Sequence, residues 1–356
     1  MSDYPSWETI RDSIFVRERR FPRIAEDMPT FLGVKHAIDK SDLQGADVVI
    51  IGAPYAAGWG SQYAGVDKKH WIEGPKRVRQ QSVRYQSGYV QDFDLDIFDT
   101  LNVVDYGDAD IPPEAEHDSS VGTILAAQAA VEAKVNDALD SGAVPIVIGQ
   151  NSPCGSYAVA KPVAERNPGK LGMVSLDTHW DASPEDRATM DPRVAGSNSW
   201  KHRVYRDFPN FDRARLVEVG ERGMLEKKED VRAFTEAGAC FISAWRLRTA
   251  LGIEGAVSLL DQAFDGTDAV YAHFDMDVLG GAGPTGGDIL GELAEPIGLS
   301  DYEVIRIAHE IALRGCNALS FICIPPGSSV MYRVLVYVIT YFMAGLALRK
   351  QMEQKA

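Results

Sequence analysis

Aspartate and histidine alternate in the stretch SLDTHWDAS, residues 175 to 183, where Asp177, His179 and Asp181 follow an apolar run. A second acidic pair, Asp275 and Asp277, closes another apolar run in AHFDMD. Side chains two positions apart in an extended segment point to one side, so Asp275 and Asp277 face together, as do Asp177 and His179. Carboxylates crowded at a sheet edge repel one another, and burying them is costly without compensating cations. Hard divalent ions held by carboxylates with one imidazole are the usual compensation. A lone Asp-x-Asp arises often by chance. Two such clusters leave two readings open, metal ligation or turn-capping carboxylates.

Residues that chemistry needs in one place must be held by regular elements, and the chain supplies a rhythm for them. Short β-rich apolar runs alternate with longer helical patterns, which predicts an α/β fold: three layers, α/β/α, around a mainly parallel sheet of about eight strands. The predicted strands cover residues 46–54, 101–108, 143–150, 171–177, 214–220, 239–244, 269–277 and 318–325. Between them lie helical stretches such as SSVGTILAAQAAVEAKVNDALDSG, stopped by Gly142, and SDYEVIRIAHEIALRG, opened by Ser300 as N-cap with Glu303 three residues on. No repeat or Pro-rich linker breaks the rhythm, so residues 41–356 read as a single domain and residues 1–40 as an N-terminal arm. Ligands of an open α/β sheet collect beyond the carboxyl ends of the strands, which is where both acidic clusters fall.

Composition narrows the partners. The 356 residues are 45% hydrophobic and carry a net charge of -15, with no basic stripe, which speaks against nucleic acid and suits a small cationic molecule. Four irregularly spaced cysteines suggest reduced thiols in a cytoplasmic protein rather than a disulfide framework. The charged N-terminal segment lacks the apolar core of a signal peptide. The apolar stretch at 334–348 lies between Arg333 and Arg349 and is shorter than the roughly 20 residues of a bilayer-spanning helix, so it is expected to pack in the core, with no membrane partner.

The order and surroundings of these motifs resemble the ureohydrolase family of arginases, agmatinases and related guanidine hydrolases. GAPYAAGWG and EGPKRVRQQS resemble its opening strand and helix start, VVDYGDAD its Asp-x-Gly-Asp segment, and VIGQNSPCGS stands at its Gly-Gly-Asp-His-Ser position. LDTHWDAS matches Asp-Ala-His-x-Asp, LVEVGERG the Gly-x-Arg strand, and HFDMDVLGG is similar to Ser-x-Asp-x-Asp-x-x-Asp-Pro. The resemblance implies a binuclear manganese or nickel cluster that activates water for attack on a guanidinium carbon, with urea leaving. It implies that Asp177 and Asp275 bridge the ions, that His179 and Asp277 complete one site, and that Asp181 belongs to the other. It places His202, in SNSWKHR, near a proton-shuttling histidine.

The departures from the family pattern fall on the chemistry. Ser152 stands where the first metal histidine is expected, and a neutral hydroxyl is a poor ligand. In FICIPPGSS, Ile322 or a neighbour stands where a substrate-binding glutamate is expected, which removes a charge-assisted partner for guanidinium. Gly280 and Gly281 replace an Asp-Pro. Three interpretations follow: a self-sufficient hydrolase in which another residue, such as His273, fills the gap; a degenerate subunit that assists a catalytic paralogue; or a scaffold without enzymology. Loss of both groups favours the second. Among ureohydrolases this resembles the noncatalytic subunit of the heteromeric nickel-dependent metformin hydrolases. That resemblance implies one divalent ion or none in this chain and a homologous catalytic partner in a hetero-oligomer, a trimer or hexamer. Arg79 and Arg222 are expected to be structural. Trp7, Trp59 and Trp71 fit packing as well as a pocket, and Cys154 has no adjacent base to activate it.

Overall fold

The computed structural model describes residues 21–56, 71–85, 87–185, 191–222, 226–282, 296–325 and 329–355. Its centre is a nine-stranded sheet in which every pairing is parallel. In chain order the strands are β1 (Lys35–His36), β2 (Val48–Gly52), β3 (Val103–Asp108), β4 (Val144–Ile148), β5 (Leu171–Leu176), β6 (Phe211–Val219), β7 (Cys240–Ile242), β8 (Ala269–Asp275) and β9 (Ala318–Ile322). They lie in the order β7-β6-β5-β8-β9-β4-β2-β3-β1. The eight runs expected from sequence are all strands. β1 is an addition, because two residues carry too little pattern to be read.

Residues 21–40, assigned by sequence to the arm, begin the domain instead. Phe31 and Leu32 are buried in the core and β1 pairs with β3. The Asp105 carboxylate accepts from the Phe31 backbone N–H at 2.8 Å, which draws this segment onto the sheet. The first twenty residues and Trp7 lie outside the described residues, as does Trp59; Trp71 is buried.

Helices cover both faces. On one lie α1 (Gly74–Ser82), α7 (Asp301–Arg314) and α8 (Ser329–Lys355); on the other lie α2 (Val121–Asp140), α3 (Ala158–Arg166), α4 (Trp200–Asp207) and α5 (Lys228–Thr235), while α6 (Gly252–Leu259) joins the first layer. Alternation along the strands decides the faces: Val48 and Ile50 enter the first core, Val49 and Ile51 the second. The helix ends follow local chemistry. Ser120 caps α2, and Ser300 and Glu303 form a reciprocal capping box at α7. α8 is longer than its apolar run, but 67% of its most apolar window is buried inside the fold, with Leu335, Ile339 and Phe342 packed in the first core. Burial, rather than length, identifies it as a core helix.

Candidate metal centre

β5 and β8 are neighbours, with Ser175 opposite His273 and Leu176 opposite Phe274. The next residues, Asp177 and Asp275, therefore leave the sheet side by side at its carboxyl edge. Beyond them the extended alternation expected from sequence does not continue: β5 ends at Leu176, and Met276–Ala282 is a helical turn. The acidic groups converge through tight turns closed by their own carboxylates. Asp177 Oδ1 accepts from the His179 N–H at 2.7 Å, and Asp275 Oδ1 accepts from the Asp277 N–H at 2.9 Å. Thr178 then ties the turns together, its N–H donating to Asp277 Oδ1 and its hydroxyl to the Asp277 carbonyl.

Two groups of potential ligand atoms result, each within 4.8 Å of one another: Asp177, His179 and Asp277 form one, and Asp177, Asp181 and Asp275 the other. Asp177 is common to both. His179 Nδ1 lies 3.2 Å from Asp277 Oδ2. Asp177 Oδ2 and His179 Nε2 are buried without a partner among the described residues. A buried, acceptor-only carboxylate oxygen with no donor among the described residues fits a cation ligand. The donor set of carboxylates with one imidazole fits a divalent transition ion.

The electrostatics agree. Burial, then Asp181, Asp275 and Asp277, push the Asp177 carboxyl well above the usual range. Burial, Asp277 and Asp181 do the same to Asp275. Burial also pushes Asp181 up to about 7, against the restraining charges of His179 and Lys201. Burial acts to lower His179, but the hydrogen bond and charge of Asp277 win and push it up to about 9, while His179 in turn keeps Asp277 low despite burial. Without a bound cation Asp177, Asp181 and Asp275 favour protons, while Asp277 stays ionised beside His179. Backbone strain gathers here too: Asp181 and Cys323 take φ values of 47° and 51°, a conformation that costs a residue with a side chain about 1–3 kcal/mol. Cys323 lies beside Asp275, where its thiol acts to lower that carboxyl against the effect of burial.

His202 is not brought to this centre. It is half-buried on α4, and its charged neighbours are Arg203, Arg206, Arg213 and Asp230. The residues of SNSWKHR that face the carboxylates are the two before it. Trp200, fully buried, donates Nε1–H to Asp181 Oδ2 at 3.2 Å, and Lys201, equally buried, pairs with Glu218 Oε2 at 2.8 Å. Glu221, from the following turn, is buried beside them, and burial with the charge of Glu218 drives its carboxyl far up. Helical periodicity separates His202 from them: with about 3.6 residues per turn it is carried round to a half-buried position while Trp200 and Lys201 stay buried. One signal was available. Glu218 interrupts an apolar parallel strand, where a lone carboxylate demands a partner.

His273 sits one level below the carboxylates in a polar row, Ser320–His273–Ser175–Glu218, that crosses four strands in register. Its Nδ1 meets Ser320 Oγ at 2.9 Å, its Nε2 meets Ser156 Oγ at 3.4 Å, and its ring packs edge-on against Trp200. Burial holds it neutral, and it joins neither ligand group. Ser152 is buried with its hydroxyl unpartnered among the described residues. Its neighbour Gln150 is a clamp, accepting from the Ile324 N–H at 2.7 Å and donating to the Ile324 carbonyl at 3.1 Å. Ile322, paired in register with Asp275, is buried and aliphatic. Cys154 is fully buried, and burial raises its thiol far above the reactive range.

The arginines hold the frame. Arg79 is completely buried and forks onto Asp105 at 2.9 Å through both Nε and Nη2, with Nη1 on Asp108. Arg222 donates to the carbonyls of Pro296, Gly220 and Asp277, tying the second acidic turn to β6. Gly220 has φ of +102°, and a Cβ there would stand 2.9 Å from the Asp177 carbonyl, so the chain needs glycine at this crossing.

Fold and site together define a three-layer α/β/α protein with a carboxylate–imidazole centre at the carboxyl edge of a parallel sheet. The chain belongs to the arginase family, whose sequence pattern it matches over residues 46–323. It is 28% identical to proclavaminate amidinohydrolase of Streptomyces clavuligerus over 72% of this chain and 74% of that protein. It is 25% identical to formimidoylglutamase of Halobacterium salinarum over 84% and 89%. Among solved structures, proclavaminate amidinohydrolase from Streptomyces clavuligerus superposes with a TM-score of 0.73 at 24% identity, covering 92% of this chain and 99% of that one. The Trypanosoma cruzi formiminoglutamase determined with Mn2+ does so at 0.70 and 23%, covering 91% and 100%.

Proposed function

We propose that this chain is a subunit of a ureohydrolase-type amidinohydrolase complex that cleaves a guanidine or biguanide C–N bond and releases urea, and that it supports a homologous catalytic subunit rather than turning over alone. Its membership of the arginase family and its amidinohydrolase and formimidoylglutamase relatives support the ureohydrolase chemistry. The observation that carries the subunit role is the stretch FICIPPGSS, which has no acidic residue: Ile322, in register with Asp275 and 1% exposed, or a neighbour stands where the resemblance calls for a carboxylate beside a guanidinium. Ser152, with its unpartnered hydroxyl, points the same way.

Asp177, His179 and Asp277 would hold one divalent ion, manganese or nickel, and Asp181 and Asp275 would complete the second group with Asp177. A divalent ion bound there supplies a Lewis acid and lowers the pKa of water. The chain's own groups do the rest. Thr178 fixes the position of Asp277, and Trp200 orients Asp181 through its Oδ2. A second reading, a self-sufficient hydrolase, draws on the sharing of Asp177 by both ligand groups. All four cysteines are free thiols, which suits a cytoplasmic complex.

The test is co-expression with a homologous ureohydrolase chain. A mixed oligomer, a trimer or hexamer, should form and release urea from guanidine compounds, and Asp177→Asn in this chain should leave that activity largely intact. Loss of activity from the intact oligomer, or turnover by this chain alone, would contradict the subunit role.

A further inference from the structure

Gly345 lies inside α8 where a side chain would run into the His309 carbonyl of α7, so the two helices pack directly against each other there. Their earlier turns line a cavity of about 870 Å³, within the range of small-molecule pockets. It shares no residue with the metal centre. Its walls are largely aromatic. Tyr337 meets Tyr85 edge-on at 5.5 Å and stacks beside Tyr341 at 6.1 Å, and Tyr341 meets Phe93 edge-on at 5.8 Å. Ile305, Val330 and Val334 add aliphatic surface.

One polar group in this lining is left over. His309, 6% exposed, stacks on Phe93 at 4.5 Å, and its Nε2 is buried without a partner among the described residues. Its Nδ1 lies 3.5 Å from Glu310 Oε1, and Arg314 and Arg306 keep Glu310 ionised despite burial. A carboxylate only accepts, so the imidazole proton belongs on Nδ1 and Nε2 presents a lone pair. Burial favours the neutral ring. Glu310 is already paired, and the other carboxylates of the lining, Asp92 and Asp301, are exposed to water and share it with Arg333, so charge does not select the occupant. What the cavity lacks is a hydrogen-bond donor.

We propose that this cavity binds a small, neutral, planar aromatic molecule carrying an N–H or O–H group, which lies among the tyrosine and phenylalanine rings and donates to His309 Nε2. Aromatic walls favour a flat ring through stacked and edge-on contacts. A buried acceptor without a donor is costly, so a ligand that supplies one is favoured over a look-alike that does not. The inference is independent of the metal reading.

The experiment titrates the purified full chain with indole and, in parallel, with indene, which has nearly the same shape but no N–H, following binding by calorimetry. One indole should bind per chain, about fivefold more tightly than indene, as one hydrogen bond between neutral groups allows. His309→Phe, checked for folding by circular dichroism, should keep the indene affinity and lose the preference for indole. Val330→Trp, at a position 42% exposed and outside the packed core, should fill the cavity and abolish binding of both. Absence of indole binding at millimolar concentration, or equal affinity of the wild type for the two probes, would overturn the inference. So would a preference that persists in His309→Phe, or indole binding unchanged in Val330→Trp.

Discussion

Lys201 Nζ stands 2.8 Å from Glu218 Oε2, and neither side chain is exposed to solvent. Taking one partner from a buried pair strands the other charge, so Lys201→Met should destabilise the fold by about 3–5 kcal/mol. Removing both charges in Lys201→Met/Glu218→Gln should recover most of that loss. Guanidinium denaturation of the two variants checks this, and equal losses would show that the pair is not coupled.

The metal-free protein should lose stability as pH rises from about 4 to about 9. Asp177, Asp181 and Asp275 hold protons in the fold above the pH at which an unfolded carboxyl releases them, and His179, pushed up to about 9, does likewise for imidazole. The native state thus binds more protons across this window, and stability falls with pH. A bound divalent ion requires deprotonated ligands, so saturating Mn2+ should flatten or reverse the slope. Thermal melts with chelator and with Mn2+ measure both.

Arg79→Met should cost about 3–5 kcal/mol, because it leaves Asp105 buried and unpaired and releases Asp108. The damage should spread to residues 31–36, since Asp105 also holds the Phe31 N–H. Hydrogen exchange should show faster opening there than in α8.

Ser152→Ala should raise stability by about 1 kcal/mol, since it removes a buried hydroxyl that has no partner among the described residues. It should leave the metal-to-protein ratio unchanged. A fall in bound metal would make Ser152 a ligand after all.

Ser300→Ala removes the hydroxyl that accepts from the Glu303 N–H and should cost about 1 kcal/mol in a denaturation curve. The loss should be independent of added metal, because α7 carries none of the candidate ligands.

The strands were legible because buried parallel strands are continuous apolar runs, and the α7 capping box because its spacing is local. β1 escaped for want of length. The acidic clusters were legible at the ends of β5 and β8, but the way their side chains converge was not, since it depends on turns that begin where the alternation stops. His202 drew attention as a histidine, whereas Lys201 and Trp200 gain their meaning only once α4 packs over the polar row. No local pattern tells which of three adjacent residues on a short helix faces the sheet. Glu218 was the overlooked clue, a carboxylate inside an apolar strand that had to be matched by a cation from elsewhere.

The most direct measurement is the ratio of tightly bound divalent metal to polypeptide in the isolated full chain after saturation with Mn2+ or Ni2+ and removal of free ions. One ion per chain is the predicted result. Two ions per chain would contradict it and return the protein to the self-sufficient binuclear hydrolases.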